Sequence, residues 1–229
     1  MPIIHLYDNA GEFVRESAAS IEHFIAKQLK EKSILRMALS GGKSPSPVYL
    51  ALAKNKNIPW SRITLFLADE RYVPLNSGES NYRMIHETLL SGVKNLRRFY
   101  HYNTRESLPI ITDQYQKVLE QFKAPLFDLV LLGLGEDGHT ASLFPHDPAI
   151  HEHRRLVAHT QSLEQTTQDR MTLTFPAILS SSKIIFLIRG KEKQKIFDEW
   201  VGGNQPMEDL PAKTILGHPN VEIFYDRSL

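Results

Sequence analysis

Short apolar runs rich in β-branched residues alternate along this chain with longer segments whose apolar residues recur at helical spacing. Such alternation is typical of a parallel β-sheet covered by helices. The pattern predicts strands at residues 2–7, 34–39, 63–67, 98–102, 127–132, 156–159, 183–188 and 221–225. We therefore expect an α/β fold with a mostly parallel, Rossmann-like sheet and helices on both faces.

The clearest predicted helix covers the segment EFVRESAASIEHFIAKQLKEK, whose apolar residues fall on one stripe. The stripe consists of Phe13, Ala18, Ile21, Phe24, Ile25 and Leu29. Further helices are predicted near residues 46–54, 80–91, 108–122 and 191–201. No repeat, low-complexity tract or linker divides the chain, although VGGNQPMEDLP is typical of a long loop. We expect residues 1–229 to form a single domain.

Composition narrows the classes of function. Lys and Arg together number 27 against 26 Asp and Glu, so the net charge of +1 gives no reason to expect a nucleic-acid partner. The absence of cysteine excludes disulfides and a cysteine nucleophile, and it fits the reducing cytoplasm. No window approaches the ~18 apolar residues that a membrane span requires. We expect a cytoplasmic protein without a membrane partner.

Candidate chemistry is expected in the loops that follow the strands, because ligands of open parallel sheets bind at the carboxyl ends of the strands. The first such loop is LSGGKSP, followed by a helix with Pro45 or Pro47 in its first turn. Paired glycines and a helix N-terminus favour an anion site, and the alternative is a plain strand-to-helix turn. The residues that would hold the anion are Ser40, Gly41, Gly42, Lys43 and Ser44.

The second loop carries charge where a strand is predicted to end. Asp69, Glu70 and Arg71 follow the apolar run ITLFLA. Two carboxylates and a guanidinium at such a position are costly unless they are paired or used in binding or catalysis. A surface ion-pair cluster is the alternative interpretation.

The third loop, GLGEDGHT, has the glycine spacing of a dinucleotide-binding motif. That motif requires an acidic residue about 20 positions further on, at the end of the next strand. Here the next predicted strand ends in His159 and Thr160, so we disfavour the nucleotide-binding interpretation. The loop instead presents Asp137 and His139, a carboxylate and an imidazole suited to proton transfer near neutral pH. A histidine without a catalytic role is the alternative.

Two basic residues elsewhere are further candidates for an anion site. Arg170 precedes a strand-to-helix passage, and Lys193 lies in the first turn of a predicted helix, where a cation is unfavourable unless an anion is nearby. On spacing alone Lys191 or Lys195 could serve instead of Lys193, and a solvated helix face is the alternative. The histidines in HDPAIHEHRR lack a further ligand pattern, so we interpret that segment as a polar loop and expect no metal site.

With LSGGKSP, ADERYVP, ESNYRMIHETLL, FDLVLLGLGEDGHTASLFP and RMTLTFPAIL in this order, the sequence closely resembles the 6-phosphogluconolactonases of the pentose phosphate pathway. The resemblance covers nearly the whole chain and is most specific around His139. It departs from the family pattern at Lys43, where serine or threonine is common. The resemblance implies the fold of sugar-phosphate isomerases and deaminases and no cofactor.

The resemblance also implies a mechanism for hydrolysing 6-phosphoglucono-δ-lactone, a phosphorylated sugar lactone. His139, oriented by Asp137, would activate water, and Arg71 or a loop N–H would stabilise the oxyanion. Asp69 would bind substrate hydroxyls or orient Arg71. The phosphate would be held by Ser40, Gly41, Gly42, Lys43, Ser44, Arg170 and Lys193.

Glucosamine-6-phosphate deaminases share these motifs and are the main rival. They carry Asp-Glu-Tyr where this chain has Asp69, Glu70 and Arg71, and a glutamate where this chain has Phe144. A non-catalytic sugar-phosphate sensor and a nucleotide-binding oxidoreductase rank behind these two enzymes. The sequence leaves the oligomeric state open.

Overall fold

A computed structural model of the chain describes residues 1–162 and 167–228. It contains ten strands: β1 (Ile3–Tyr7), β2 (Leu35–Leu39), β3 (Ile63–Leu67), β4 (Asp69–Arg71), β5 (Arg98–Tyr100), β6 (Leu129–Leu132), β7 (Val157–Gln161), β8 (Asp169–Leu173), β9 (Ile184–Arg189) and β10 (Val221–Asp226). Seven of them form one sheet in the order β1-β10-β9-β6-β2-β3-β5. Every neighbouring pair in this sheet is parallel, which confirms the predicted fold class.

The strand order reverses at the centre of the parallel sheet. From β2 the chain runs outward through β3 to β5, whereas from β6 it runs the other way through β9 to β10. Strands β2 and β6 are direct neighbours, with Met37 beside Leu129 and Leu39 beside Leu131. A crevice opens beyond the carboxyl ends of the strands at such a reversal, because the following loops diverge to opposite sides. The loops after β2 and β6 therefore face one another across this crevice.

A second, three-stranded antiparallel sheet has the order β4-β8-β7. The sequence pattern did not predict this sheet. The strand predicted at 156–159 exists as β7, but it pairs with β8 and not with the parallel sheet. Strand β4 follows β3 after a single residue, Ala68, whose carbonyl oxygen accepts a hydrogen bond from the Leu173 N–H. The polar triplet predicted to follow a strand is thus itself a short strand.

Six α-helices connect the strands: α1 (Ala10–Glu31), α2 (Ser46–Lys54), α3 (Asn81–Thr88), α4 (Leu108–Leu119), α5 (Phe175–Leu179) and α6 (Gln194–Gly202). Helix α1 buries Phe13, Ile21, Phe24, Ile25 and Leu29 of the predicted stripe. Its N-terminus is capped by Asn9, whose side chain accepts a hydrogen bond from the Glu12 N–H. In the part of the chain that the structure describes, no helix is long and apolar enough to cross a membrane.

The buried side chains form a hydrophobic cluster to which both sheets and all six helices contribute. Strands β3 and β6 are fully buried, as expected for central strands of a parallel sheet. This continuous core is consistent with a single domain. The single domain itself stays a prediction.

Candidate functional site

A cavity of about 650 Å³ lies at the carboxyl ends of the central strands. Its walls come from the loop after β2, from β4 and the start of α3, from the loop after β6, and from the turn after β9. Ten of the predicted site residues line it: Ser40, Gly41, Gly42, Lys43, Ser44, Asp69, Arg71, Asp137, His139 and Lys193. The structure thus brings together residues from distant parts of the sequence.

The Gly-Gly loop approaches α3 closely. A Cβ atom on Gly41 would lie 2.0 Å from Asn81 Oδ1, and Gly42 has a positive φ of 101°. Both positions therefore favour glycine. Helix α2 begins at Ser46, which places Pro47 in its first turn. The Ser40 hydroxyl is buried, and it has no hydrogen-bond partner among residues 1–162 and 167–228.

His139 and Asp137 form a dyad on the loop after β6. The Nδ1 atom of His139 lies 2.5 Å from Asp137 Oδ1, and the His139 N–H donates to the same oxygen at 3.1 Å. Burial opposes ionisation of Asp137, but its hydrogen bonds with His139 outweigh this, so the pKa of Asp137 is lowered. The carboxylate therefore stays ionised near neutral pH and holds the imidazole in one orientation through Nδ1. The second ring nitrogen, Nε2, is not part of this contact.

Two glycines give this loop its shape. Gly138 has a φ of 84°, and its N–H donates to the Gly135 carbonyl oxygen at 3.1 Å. At Gly135 a Cβ atom would lie 2.1 Å from His139 Nδ1 and 2.5 Å from Asp137 Oδ1. Of the glycines that resembled a dinucleotide motif, Gly135 therefore makes room for the dyad, and Gly138 forms the turn before His139.

Asp69 is buried, and hydrogen bonds fix one side of its carboxylate. Oδ2 accepts hydrogen bonds from Asn81 Nδ2 at 3.1 Å and from the Ser142 hydroxyl at 2.9 Å. Oδ1 has no hydrogen-bond partner in the described part of the chain, although it is buried. A buried carboxylate oxygen without a donor is costly, so a ligand hydroxyl would be favourable there.

Glu70 has a structural role. It is completely buried, and its carboxylate accepts hydrogen bonds from the N–H groups of Arg71, Asn81 and Tyr82 and from the Ser80 hydroxyl. Two of these N–H groups belong to the first turn of α3. Glu70 thus anchors this helix N-terminus, and so holds Asn81 against Asp69.

We expect Glu70→Gln to destabilise the protein by about 2 kcal/mol or more, because the amide NH₂ would face backbone donors and leave at least one unpaired. Urea unfolding at pH 7 measures the change. The control is Glu87→Gln on the same helix, where an exposed pair with Arg83 is removed and the expected change is below ~0.5 kcal/mol. Equal effects of the two substitutions would contradict the anchoring role.

Arg71 lines the cavity, whereas Arg170 lies behind it. Their Cα atoms are partners in the β4–β8 ladder, and an Arg71 guanidinium N–H donates to the Glu79 carbonyl oxygen. Arg170 is only 3% exposed and is not among the residues of the cavity wall. Burial, and then the charge of Arg71, lower the pKa of Arg170, while Asp69, Glu79 and Glu70 act in the opposite direction. The predicted direct contact between Arg170 and a phosphate stays a prediction.

Lys193 is the lysine of the turn after β9 that lines the cavity. Its ammonium group donates to the Leu134 carbonyl oxygen at 2.7 Å, and burial lowers its pKa. Neighbouring carboxylates, of which Glu192 acts most strongly, raise that pKa in turn. Within the described residues it forms no ion pair with a carboxylate. A partly buried ammonium without an ion-pair partner favours an anionic ligand. Neither Lys191 nor Lys195, the alternatives on spacing, lines the cavity.

Several residues of the cavity wall were not predicted from the sequence, among them Arg189 and Asn81. Arg189 is the last residue of β9, and its Nε–H donates a hydrogen bond to Asp226 Oδ2 at 2.9 Å. Asn81 bridges the Gly-Gly loop and Asp69. Arg189 directly precedes Gly190, which has a φ of 114°. A charged residue between a predicted strand and a glycine turn was the sequence signal that could have identified Arg189. Asn81 lies within the motif ESNYRMI, to which no role was given.

Phe144 packs against the catalytic candidate. It is 6% exposed, and its ring centroid lies 4.8 Å from that of His139. The position at which the rival deaminases carry a glutamate is thus adjacent to the imidazole. In this chain it supplies an apolar contact and no proton-transfer group.

A metal site is not evident. Among residues 1–162 and 167–228, no three histidine or acidic side chains are grouped so that they could hold a metal ion. In the segment HDPAIHEHRR, His146 instead lies 3.3 Å from Asp209 and His151 4.0 Å from Glu208.

Comparisons with known proteins identify the family of this chain. A family model described as glucosamine-6-phosphate isomerases/6-phosphogluconolactonase matches residues 8–224. The 6-phosphogluconolactonase of Thermotoga maritima is 41% identical over 194 residues, which cover 82% of this chain and 83% of the relative. That of Synechocystis is 34% identical over 222 residues, covering 93% and 91%.

Solved structures show the same likeness. The crystal structure of the Thermotoga maritima 6-phosphogluconolactonase superposes with a TM-score of 0.86 at 33% identity, covering 99% of this chain and 100% of that one. The Trypanosoma brucei enzyme gives a TM-score of 0.89 at 26% identity, with 100% and 97% covered. The chain belongs to the glucosamine-6-phosphate isomerase/6-phosphogluconolactonase family.

Proposed function

We propose that this protein hydrolyses 6-phosphoglucono-δ-lactone to 6-phosphogluconate, with His139 as the general base. The observation that carries the proposal is the His139–Asp137 dyad at the mouth of the cavity, with Phe144 against the imidazole. The names of the relatives support the same substrate. The absence of cysteine remains the basis for proposing a cytoplasmic location.

The phosphate of the substrate binds to the Gly-Gly loop, which precedes helix α2, and to the half-buried Lys193, both of which line the cavity. The N–H groups of the Gly-Gly loop, the Ser40 hydroxyl and Lys193 supply donors, and the dianion becomes an ion-pair partner for the Lys193 ammonium. Lys43 is exposed at the rim and adds positive charge. Arg170, behind Arg71, adds positive charge to the same region from the buried side.

The hydrolytic step begins when His139 takes a proton from a water molecule through Nε2. The resulting hydroxide adds to the lactone carbonyl carbon, and the imidazolium is stabilised by the ionised Asp137. The C–O bond to the ring oxygen then breaks as the carbonyl re-forms. The proton held by His139 passes to that ring oxygen, so the products are the free hydroxyl and the carboxylic acid, and the base is restored.

The tetrahedral intermediate carries a negative oxygen, for which the cavity holds two sets of donors. Arg71 lines the wall, and the loop after β6 offers backbone N–H groups. Each such donor is worth about 3 kcal/mol in the transition state. Asp69 Oδ1 accepts a hydrogen bond from a substrate hydroxyl, which fixes the sugar relative to His139.

The deaminase alternative requires an additional proton-transfer group beside the histidine. Phe144 occupies that position, packed on the imidazole, and a phenyl ring cannot move a proton. Ester hydrolysis by water needs only the dyad, so the contact between Phe144 and His139 favours the lactonase.

The proposal is tested in a coupled assay in which glucose-6-phosphate dehydrogenase makes the lactone in situ. The decay of the lactone is compared with and without the protein, since spontaneous hydrolysis sets the baseline. In parallel, ammonia release from glucosamine 6-phosphate is measured with the same protein.

We expect accelerated lactone decay and no ammonia release. Ammonia release without accelerated decay would overturn the proposal in favour of the deaminase. No turnover of either substrate, together with binding of 6-phosphogluconate, would overturn it in favour of the sugar-phosphate sensor.

We expect Lys193→Gln to raise KM for the lactone by about tenfold or more, with a smaller change in kcat, because a charge-assisted hydrogen bond to the phosphate is lost. Steady-state kinetics separates the two constants. The control is Lys195→Gln, two residues further on, where the side chain is 88% exposed and lies outside the cavity wall. A fall in kcat at unchanged KM would contradict the assignment of Lys193 to ground-state phosphate binding.

A further inference from the structure

A second groove lies at the amino ends of strands in the parallel sheet, whereas the candidate site lies at carboxyl ends. The groove has a volume of about 650 Å³, and it is formed at the amino ends of β2, β3 and β5 and by residues next to the start of β6. The candidate site lies beyond the carboxyl ends of β2 and β6, so the two cavities lie at opposite ends of these strands. The proposed reaction uses no residue of this groove.

The sheet register places two arginines on the floor of the groove. Arg36, Thr64 and Arg98 are Cα partners across the adjacent strands β2, β3 and β5. Residues at one register of a parallel sheet project to the same face, and neighbouring strands are ~4.8 Å apart. The two arginine Cα atoms therefore lie ~10 Å apart with the threonine between them.

Aromatic rings line one side of this row. The Arg36 guanidinium lies 5.2 Å from the ring centroid of Phe122, and that of Arg98 lies 4.7 Å from Tyr100. These contacts place the guanidinium groups against the rings, and Arg36 also donates from Nη2 to the Pro125 carbonyl oxygen at 2.8 Å. The remaining N–H groups of both arginines can still donate to a ligand. An anion bound here would have an apolar surface beside it.

Positive charge in the groove is not balanced by acidic side chains. Its lining carries four basic residues, which are Lys32, Arg36, Arg97 and Arg98, against one carboxylate, Asp128. That carboxylate is already engaged by Lys32 Nζ at 2.5 Å and by the Arg36 N–H at 2.8 Å. Among the described residues, no carboxylate forms an ion pair with Arg36, Arg97 or Arg98. In a chain of net charge +1, this concentration is local.

We propose that this groove is a binding site for a phosphate-bearing small molecule of nucleotide size. Planar guanidinium groups match phosphate oxygens, and the Thr64 hydroxyl lies between two of them. The volume lies within the range of small-molecule sites. The ring contacts of Tyr100 and Phe122 provide an apolar wall for a nucleoside or sugar portion.

The test is a titration of the ¹⁵N-labelled protein followed by amide chemical shifts, with ADP in one arm and inorganic pyrophosphate in the other. Amide shifts distinguish the groove from the candidate site, where Gly41, Gly135 and His139 report. The variant is Arg97→Gln/Arg98→Gln, because both side chains are exposed and neither forms a side-chain hydrogen bond in the described structure. The matched control is Arg105→Gln, an exposed arginine beyond the carboxyl end of β5.

We expect ADP to shift the amides of Arg36, Thr64 and Tyr100, and the double substitution to weaken this binding by about tenfold or more. The control should bind as the original protein does, and lactone hydrolysis should be unchanged in both variants. Tighter binding of ADP than of pyrophosphate would identify a nucleotide as the ligand class, and equal binding would identify a polyphosphate group alone. Shifts confined to the candidate site, or groove shifts with the same midpoint in the double variant, would overturn the proposal.

Discussion

Replacing His139 by glutamine is expected to lower kcat for the lactone by about 10²- to 10⁴-fold, the usual contribution of a general base. Glutamine fills a similar space and keeps a polar group near Asp137, but it cannot take a proton from water. Because the Gly-Gly loop, proposed to bind the phosphate, follows the neighbouring strand β2, binding of 6-phosphogluconate should remain within a few-fold of the original value. Single-turnover kinetics and calorimetry measure the two effects separately.

The control is His159→Gln, which removes a second histidine–aspartate pair. His159 Nε2 lies 2.7 Å from Asp169 Oδ1, and this pair is not part of the cavity wall. Activity should be unchanged there. If kcat of the His139 variant stayed within about threefold of the original, His139 would not be the base, and the mechanism proposed above would fail.

Replacing Gly135 by alanine is expected to lower kcat by about 10²-fold, although no catalytic group is removed. The added Cβ would lie 2.1 Å from His139 Nδ1 and 2.5 Å from Asp137 Oδ1, so the dyad must move. A displacement of about 1 Å in a catalytic group costs this much in rate. A crystal structure of the variant should show a longer distance between His139 Nδ1 and Asp137 Oδ1 than the 2.5 Å found here.

Gly78→Ala is the matched control, because an added Cβ there meets nothing within 4 Å and its φ is not positive. It should leave kcat and stability unchanged. Full activity of Gly135→Ala with an undisturbed dyad would show that the loop has more freedom than its packing implies. Loss of activity through unfolding would be recognised by urea denaturation and would not count as support.

The parallel sheet could be predicted from the sequence because its strands are short apolar runs with clear boundaries, and the central ones are buried. Each predicted strand exists within a few residues of its predicted position, from β1 to β10. The antiparallel sheet could not be predicted in the same way. Strand β4 consists of Asp69, Glu70 and Arg71, which have low strand propensity, and it forms because β8 pairs with it and Glu70 binds the N-terminus of α3.

The candidate site was predicted in part, and the limits are physical. Loops with unusual composition after strands identified the Gly-Gly loop, Asp69, Arg71 and His139, because such loops meet at one edge of a parallel sheet. Which polar groups face the cavity depends on packing, and so Glu70 and Arg170 are buried away from it while Asn81 and Arg189 line it. The family assignment from motif order was confirmed by the comparisons.

The adjacency of β2 and β6 has a consequence for how the chain folds. The two strands are separated by residues 40–128 in the sequence, so their pairing is a long-range contact that closes a large loop. The Gly-Gly loop follows β2, and the dyad follows β6. A partly folded chain can therefore hold either half of the site but not both, and enzyme activity during refolding should report the docking of the two halves of the sheet.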